Sequence, residues 1–342
     1  MRVAVIGAGA VGGTIAALMH RAGHEVEVTA RGAHLEAIRT GGIVLTGAFG
    51  AHTARVAASA SLLGAPEIAF VTTKAQDAEG AVRDAGALLD GIPVVVVQNG
   101  MGGVAVAQGA NPRARVVGGL ALFAASYLSP GQVAVTAPGP VYLGAVAASA
   151  EGRTAAGVSA ADAVHVAAGV LGEVIPVVIT PDFSAAQWTK LVVNQVNAIP
   201  AITGLSAQAV IADRGLRRIM VRGMRETVRA GLASGVRFAS LQGLSHGLLR
   251  LFAAVPFPLA QLLPLAMGRR MGETPNPGST LQSIRRGQLT EVDHLNGAVA
   301  AAAGAVGVPA PVNAALVGLV HSVEASGRFL SAEEVAGSIA PR

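Results

Sequence analysis

Lys74 and Lys190 are the only lysines in a chain of 342 residues whose lysines and arginines together number 25. Arginine keeps its proton under all ordinary conditions, whereas a lysine ammonium shifts its pKa on burial and can then exchange a proton. The two places where this sequence keeps lysine are therefore candidate sites of proton-transfer chemistry. Lys190 lies in QWTKLVVNQVNAIP (187–200), which is apolar apart from the lysine and a few amides. On a helix, Lys190, Asn194 and Asn197 fall on one stripe. Trp188, Leu191, Val192, Val193 and Val196 make the remaining surface apolar, with Gln195 the exception. A helix apolar nearly all round is buried, and a buried polar group left unpaired costs on the order of 1–3 kcal/mol. The stripe is therefore expected to meet a polar ligand or a structural hydrogen-bond network.

A second cluster lies in NPGSTLQSIRRGQLTEVDHLNGAV (276–299). Ser279 is placed to cap a first helix. Glu291, Asp293, His294 and Asn296 crowd the start of a second, where either acid could serve the helix terminus rather than chemistry. One histidine beside two acids is a poor ligand set, so no metal site is expected.

The third constellation is VAVIGAGAVGGTIAALMHRAGHEVEV (3–28): strand, Gly7-x-Gly9-x-x-Gly12, helix, strand. Gly7 permits a tight turn, Gly9 lets a pyrophosphate approach the backbone, and Gly12 lets helix and strand pack closely. The loop Gly7, Ala8, Gly9, Ala10, Val11, Gly12 then presents the positive end of a helix to phosphate. This βαβ setting is the one a dinucleotide fingerprint requires. After the second strand the chain reads Thr29, Ala30, Arg31. An acid there would hold a ribose 2′-hydroxyl, whereas an arginine suits a 2′-phosphate, so NADP(H) is the expected cofactor. Lys74, in TTKAQD, and Asn99, in QNGMG, end two further strands, at the sheet edge where doubly wound folds bind ligands.

These residues need an α/β scaffold to position them. β-branched runs alternate with helical stretches, the pattern of a parallel sheet. Strands are expected at 2–6, 25–29, 67–73, 93–98 and 115–119, with helices at 11–22, 75–89 and 101–109. The stretch 127–146 reads as short antiparallel strands, followed by a helix at about 159–172 and a strand at 173–180. Helical patterns dominate from Pro181 on, with Asp182 placed to cap the next helix. The fold class is thus an N-terminal Rossmann-type dinucleotide-binding domain (1–180) followed by an all-α C-terminal domain (181–342).

Composition tests the remaining classes. Hydrophobic residues make up 52% and charged residues 13%, with a mean hydropathy of +0.55. The run at 248–268 has the length of a membrane span. It contains Arg250 and three prolines, Pro256, Pro258 and Pro264, which break a spanning helix. It is read as helices packed inside the protein or at a subunit contact, with no membrane partner. No charged leader precedes a long apolar core, and there is no cysteine, so a cytoplasmic location is expected. The arginines of 214–229 read as a solvated helix face, and with 3% aromatic residues nucleic acid is not an expected partner.

GAGAVG, TTKAQD, QNGMG, WTKLVVN and GSTLQSIRRGQLTEVDHLNG together resemble the ketopantoate reductase family, from Gly7 to about Pro311. The resemblance implies NADPH-dependent reduction of 2-dehydropantoate to pantoate, on the way to pantothenate and coenzyme A. It also implies an active site in a cleft between the domains, and a homodimer is a further expectation. It makes Lys190 the catalytic lysine and Glu291 the acid beside it. Asn194, Asn276 and Ser279 become substrate contacts, Lys74 and Asn99 cofactor-side residues, and Arg31 the selector of the 2′-phosphate. The chain departs from the family's asparagine pattern after the lysine helix: Ala198 fills the second slot, Asn197 comes one residue early and Pro200 late. A reductase of the same fold acting on another 2-oxo acid or ketone stays open, as does a non-catalytic NADP(H)-binding sensor.

Overall fold

A computed structural model describes residues 1–146, 160–272 and 275–339 of the chain. Two compact units emerge, Met1–Phe183 and Ser184–Arg342.

The first unit is built on strands whose apolar runs leave no polar face. β1 (Arg2–Ile6), β6 (Ile68–Val71) and β7 (Pro93–Val97) are buried almost throughout, as strands covered on both faces must be. β2 (Glu25–Thr29), β5 (Ala57–Ser59) and β8 (Arg115–Ala121) extend this parallel sheet. β11 (Val141–Gly144) adds antiparallel to β8, and β12 (Val177–Ile179) parallel to β11. The order is β12-β11-β8-β7-β6-β1-β2-β5. Because β1, β2, β6 and β7 run the same way, their carboxyl ends share one edge, and the loops carrying Gly7, Arg31, Lys74 and Asn99 all start there. Helix α1 (Ala10–Arg21) buries Ile15, Leu18 and Met19 in the core of this unit. Each such side chain contributes about 1.5–3 kcal/mol.

Three features depart from the sequence expectation. A second sheet, β4 (His52–Ala54), β3 (Ile43–Gly47), β10 (Gln132–Ala137) and β9 (Ala124–Ser129), lies in the same unit, with helix α2 (Gly32–Gly41) before it. The helix expected at 75–89 is α3 (Ala78–Ala85) between two 3₁₀ turns, because Gly86 turns to φ +51° and ends it. Helix α4 (Gly103–Ala110) starts two residues late, behind Gly102 at φ +91°. The helix expected at about 159–172 is α5 (Ala160–Gly172), residue 159 lying outside the described residues.

The second unit is helical. Its elements are α6 (Phe183–Asn194, from Ser184), α7 (Ala198–Thr203), α8 (Ala207–Ala212), α9 (Arg214–Ala233), α10 (His246–Ala254), α11 (Phe257–Ala260) and α12 (Leu262–Arg270). α13 (Gly278–Arg285), a π-helical turn (Asp293–Gly297), α14 (Ala298–Ala305), α15 (Pro311–Ser326) and α16 (Ala332–Ser338) follow. A buried polar network ties α9, α15, the π-helical turn and the turn after α6 together. Glu226 accepts the amides of Val312 and Asn313 and the Asn313 carboxamide. Asn296 donates to Asn313 and to Gln195 at 3.0 Å each. The prolines divide 248–268 as expected, and among the described residues no helix is long and apolar enough to cross a membrane. The run is not wholly interior, however: Leu248, Leu251, Leu259 and Leu262 stand exposed.

Candidate active site

In the first unit each glycine of the Gly7–Gly12 loop shows its own reason. Gly7 adopts φ +98°, and a Cβ there would meet Thr73 at 2.8 Å. At Gly12 a Cβ would strike the Gly7 carbonyl and Thr72 Oγ1, so this glycine sets the approach of α1 to β1. At Gly9 a Cβ would meet nothing within 4 Å. Open space at Gly9 is what a pyrophosphate needs. No side chain caps α1 either, so its first amides are left for an anion.

The loop is fixed from three sides. Thr29 Oγ1 accepts the Gly7 amide and the Thr29 carbonyl accepts that of Ala8. Thr72 Oγ1 donates to the Gly7 carbonyl at 2.7 Å. His34 was missed by sequence reasoning: its Nδ1 accepts the Gly131 amide at 2.9 Å, so its Nε2 carries the proton and donates to the Ala8 carbonyl at 2.7 Å. No local signal marks it, because α2 itself was not expected. Thr29 is thus engaged with the loop, and Arg31 follows it exposed at the end of β2. Lys74 and Asn99 are half-buried. Beside them Gln98 Nε2 donates to the Thr73 carbonyl, while Thr73 Oγ1 and Gln98 Oε1 are buried without a protein partner. Two orphaned polar atoms at this edge fit a polar ligand.

In the second unit α6 carries Lys190. Trp188 and Phe238 pack against Gly231 of α9, where a Cβ would meet them at 3.1 and 2.7 Å. Thr189 Oγ1 donates to the carbonyls of Ala185 and Ala239. These contacts fix the helix on both sides of Lys190, whose side chain keeps only part of its surface open. Burial pushes the ammonium from its ordinary 10.5 down to about 8, and the negative charge of Glu291 restrains the fall. An ammonium of that pKa is a competent proton donor near neutrality.

The expected polar stripe is only partly realised. Asn194 is buried at 8% exposure. Asn197, however, leaves the stripe: α6 ends at Asn194, and 195–197 form a tight turn with i→i−3 bonds. Pro200 has no amide hydrogen to donate to the Val196 carbonyl, so a regular helix cannot run through. Gln195 is the buried network member instead. Asn197 lies against Gly278, where a Cβ would fall 2.5 Å from its Oδ1. It thereby joins the 276–279 segment that carries Asn276 and Ser279.

Ser279 is not a helix cap. It is the second residue of α13, and the Asn276 Oδ1 accepts the Gly278 amide at 2.9 Å in its place. Ser279 stays exposed. Asn276 is also held through its backbone, to Ala207 and to the Gln208 side chain.

Glu291 is pinned on both flanks. Glu324 accepts the Thr290 amide at 2.7 Å, and Asp293 is bonded to His321 Nε2 at 3.0 Å. His321 Nδ1 faces Glu324 at 2.7 Å. Both ring nitrogens face carboxylates, so both must donate, which only the imidazolium can do. The bonds to Glu324 and Asp293 raise the His321 pKa. Burial works to raise Glu324, but the bonds from Thr290 and His321 outweigh it and hold that carboxyl below its ordinary value. A raised histidine contributes stability that is full below its ordinary pKa and is lost as pH rises through the folded value. His321 is 45% exposed, so solvent screens its two ion pairs and holds their worth below about 1 kcal/mol; His321→Gln should therefore lower the melting temperature near pH 6 by about 1–2 °C. The gap to the parent should close as pH rises, which melts across a pH series will read.

The fold and these groups together are those of an NAD(P)-dependent oxidoreductase. The profile of the ketopantoate reductase PanE/ApbA family matches residues 3–148, and that of its C-terminal part matches 182–324. The chain belongs to the ketopantoate reductase family. A 2-dehydropantoate 2-reductase of Pyrococcus horikoshii is 28% identical over 331 residues, covering 96% of this chain and 99% of the relative. That of Archaeoglobus fulgidus is 29% identical over 326 residues, covering 94% and 98%. A PanE/ApbA family ketopantoate reductase from Ralstonia eutropha superposes with a TM-score of 0.75 at 25% identity, over 95% of this chain and 99% of the other. The fold is shared with D-mandelate dehydrogenase in its complex with NADH and anilino(oxo)acetate, at a TM-score of 0.79 and 20% identity, over 95% and 99%.

Proposed function

We propose that the chain reduces 2-dehydropantoate to pantoate with NADPH. The observation that carries this reading is Lys190, lowered to about 8 by burial with Glu291 as its charged neighbour. When bound, the reduced nicotinamide supplies a hydride to the ketone carbon. Lys190 Nζ then hydrogen-bonds the ketone oxygen and gives it a proton as charge develops. Glu291 orients the ammonium and accepts from a substrate hydroxyl. Asn194 and Ser279 hold the substrate carboxylate, which fixes the carbonyl for attack, and Asn276 is a second polar contact to substrate; such positioning supplies several of the roughly 7–11 kcal/mol available from orientation. Gly7, Ala8, Gly9, Ala10, Val11 and Gly12 bind the pyrophosphate, Lys74 and Asn99 contact the cofactor, and Arg31 meets the 2′-phosphate.

Arg31 makes the cofactor preference testable. The parent protein should prefer NADPH to NADH, and Arg31→Ala should narrow the ratio of kcat/KM values by about tenfold, the loss of a contact of about 1.4 kcal/mol. Equal use of both cofactors by the parent would refute NADPH selection.

One observation favours a second reading, a reductase of another 2-oxo acid. The Pro200 turn removes Asn197 from the Lys190 stripe and so changes the substrate half of the site. NADPH oxidation across a panel of 2-oxo acids that includes 2-dehydropantoate separates the two. The highest kcat/KM is expected for 2-dehydropantoate, and a higher value for another acid overturns the proposal.

A further inference from the structure

From Thr227 to Gly272 the chain contains no aspartate or glutamate, yet it carries Arg229, Arg237, Arg250, Arg269 and Arg270. The stretch begins inside α9 and includes α10. Between the end of α9, the segment after it and α10, an open cavity of about 460 Å³ is lined by Leu232, Gly235, Val236, Arg237, His246 and Arg250. We propose that this cavity is a binding site for a phosphate-bearing small molecule, separate from the Gly7–Gly12 loop and from Lys190.

Three observations bear on the cavity or on the helix pair that carries it. The first is charge without a partner. Arg237 and Arg250 are exposed on the cavity wall, and neither forms an ion pair with a carboxylate among the described residues. A folded protein normally intersperses charges of both signs over its surface. A wall of one sign raises the local concentration of counter-ions.

The second is a pair of orphaned atoms on the same two helices. His246 Nδ1 is buried with no hydrogen-bond partner, and so is Arg225 Nε of α9. A buried polar atom without a partner calls for an explanation; His246 lines the cavity, where a ligand supplies one for its Nδ1, whereas Arg225 lies outside the lining. His246 is also held in place, its ring 6.1 Å from that of the buried Phe238.

The third is like-charge crowding that the fold maintains. Arg225 donates to the carbonyls of Ala253 at 2.6 Å and Val255 at 3.0 Å, which locks α10 along α9. Burial lowers the Arg225 pKa, and the charge of Arg229 one turn on lowers it further. Neither arginine lines the cavity; both add to the positive field of the helix pair that carries it.

The chemistry of the wall selects the ligand. Two guanidiniums offer planar, two-pronged donors that match phosphate oxygens. His246 is the first residue of a helix whose N-cap, Ser245, accepts the Leu248 amide, so the positive end of that helix faces the same place. Two fixed positive charges plus a helix terminus suit a dianion better than a monocarboxylate. The volume lies in the range of small-molecule pockets, about 300–1,000 Å³, and exceeds what a lone phosphate fills. The phosphate of a larger metabolite and free phosphate share this chemistry.

Calorimetric titration of the full chain tests the site with inorganic phosphate, pyrophosphate and glycerol phosphate, at constant ionic strength set with sodium chloride. Binding is expected for at least one of the three. It should weaken at least tenfold in Arg237→Ala/Arg250→Ala and persist both in Gly9→Ala, which reports on phosphate at the nucleotide loop, and in Arg31→Ala, which reports on the 2′-phosphate position. Tighter binding of glycerol phosphate than of phosphate points to an organic ester, and the reverse to free phosphate. Both arginines are exposed, so the double variant should keep the parent melting curve. Arg250→Gln alone repeats the comparison should the double variant melt early. Absence of binding, unchanged affinity in the arginine variants, or loss in Gly9→Ala or Arg31→Ala instead overturns the proposal. None of these readouts depends on turnover, so the site stands or falls apart from the reductase reading.

Discussion

Lys190→Ala should reduce turnover by about 10²–10⁴-fold, the span that a positioned general acid supplies. Two further readouts separate chemistry from structure. The first is pH. Lys190 must carry its proton to donate it, and burial brings its pKa to about 8, so kcat of the parent should fall as pH rises through about 8. In Lys190→Ala that alkaline limb should vanish together with the rate. Lys190→Arg should stay slow, since a guanidinium holds its proton at any working pH. The second readout is stability. A lysine whose folded pKa is depressed below 10.5 makes an unfavourable contribution that is full below about 8 and is relieved as pH rises towards the unfolded value. Removing the charge should therefore leave the melting temperature at neutral pH unchanged or higher. NADPH affinity should hardly move, because the cofactor residues proposed here lie in the first unit. A folded Lys190→Ala protein with normal turnover sinks the assignment.

The sequence showed Lys190 and the nucleotide loop because both break a local pattern. A lysine in a chain of arginines and glycines at fixed spacing after a strand are visible one residue at a time. The strands β1, β6 and β7 were equally plain, since continuous apolar runs bounded by turns announce a buried parallel sheet. The second sheet was not. Only its strands within 127–146 registered; β4 has three residues, too few for alternation, and Gly41, Gly42, Gly47 and Gly50 blur β3 and the turn beside it. The polar networks were invisible for another reason: Gln195 and Asn296 are 101 residues apart, and Glu226 and Asn313 are 87. No pattern within a helix reveals which distant amide satisfies it. The reading of Ser279 as a cap followed residue preference, but the Gly278 amide was already taken by Asn276. The Asn197 position failed because the stripe assumed a regular helix up to Asn197, whereas the missing donor of Pro200 three residues on lets the chain leave the helix at Asn194. In the sequence Asp293 reads only as one of two acids beside His294, a poor ligand set, or as a group serving the helix terminus. The partner of Asp293 is His321, 28 residues away, and their pairing holds the Glu291 flank.

Gly9 and Gly12 should respond to the same substitution in opposite ways, and that contrast tests the cofactor site. At Gly9 a methyl group meets open space, and the backbone, at φ −65°, suits any residue. Gly9→Ala should thus fold and melt like the parent. Its NADPH affinity should fall by at least about tenfold, or about 1.4 kcal/mol, because the methyl group enters the space proposed for the pyrophosphate. At Gly12 the added Cβ would collide with the Gly7 carbonyl and Thr72 Oγ1, neither of which can move freely. Helix α1 must then back away from β1, and overpacking of this kind costs about 1–3 kcal/mol. Gly12→Ala should lower the melting temperature by about 2–4 °C for each kcal/mol. It should also lose cofactor, since the displaced helix takes the Gly7–Gly9 turn with it. Fluorescence titration with NADPH and thermal melts on both variants give the four values needed. Undiminished NADPH binding by Gly9→Ala would place the pyrophosphate somewhere other than this loop. A Gly12→Ala protein that melts like the parent would show that α1 has more freedom against the sheet than the contacts of Gly12 allow.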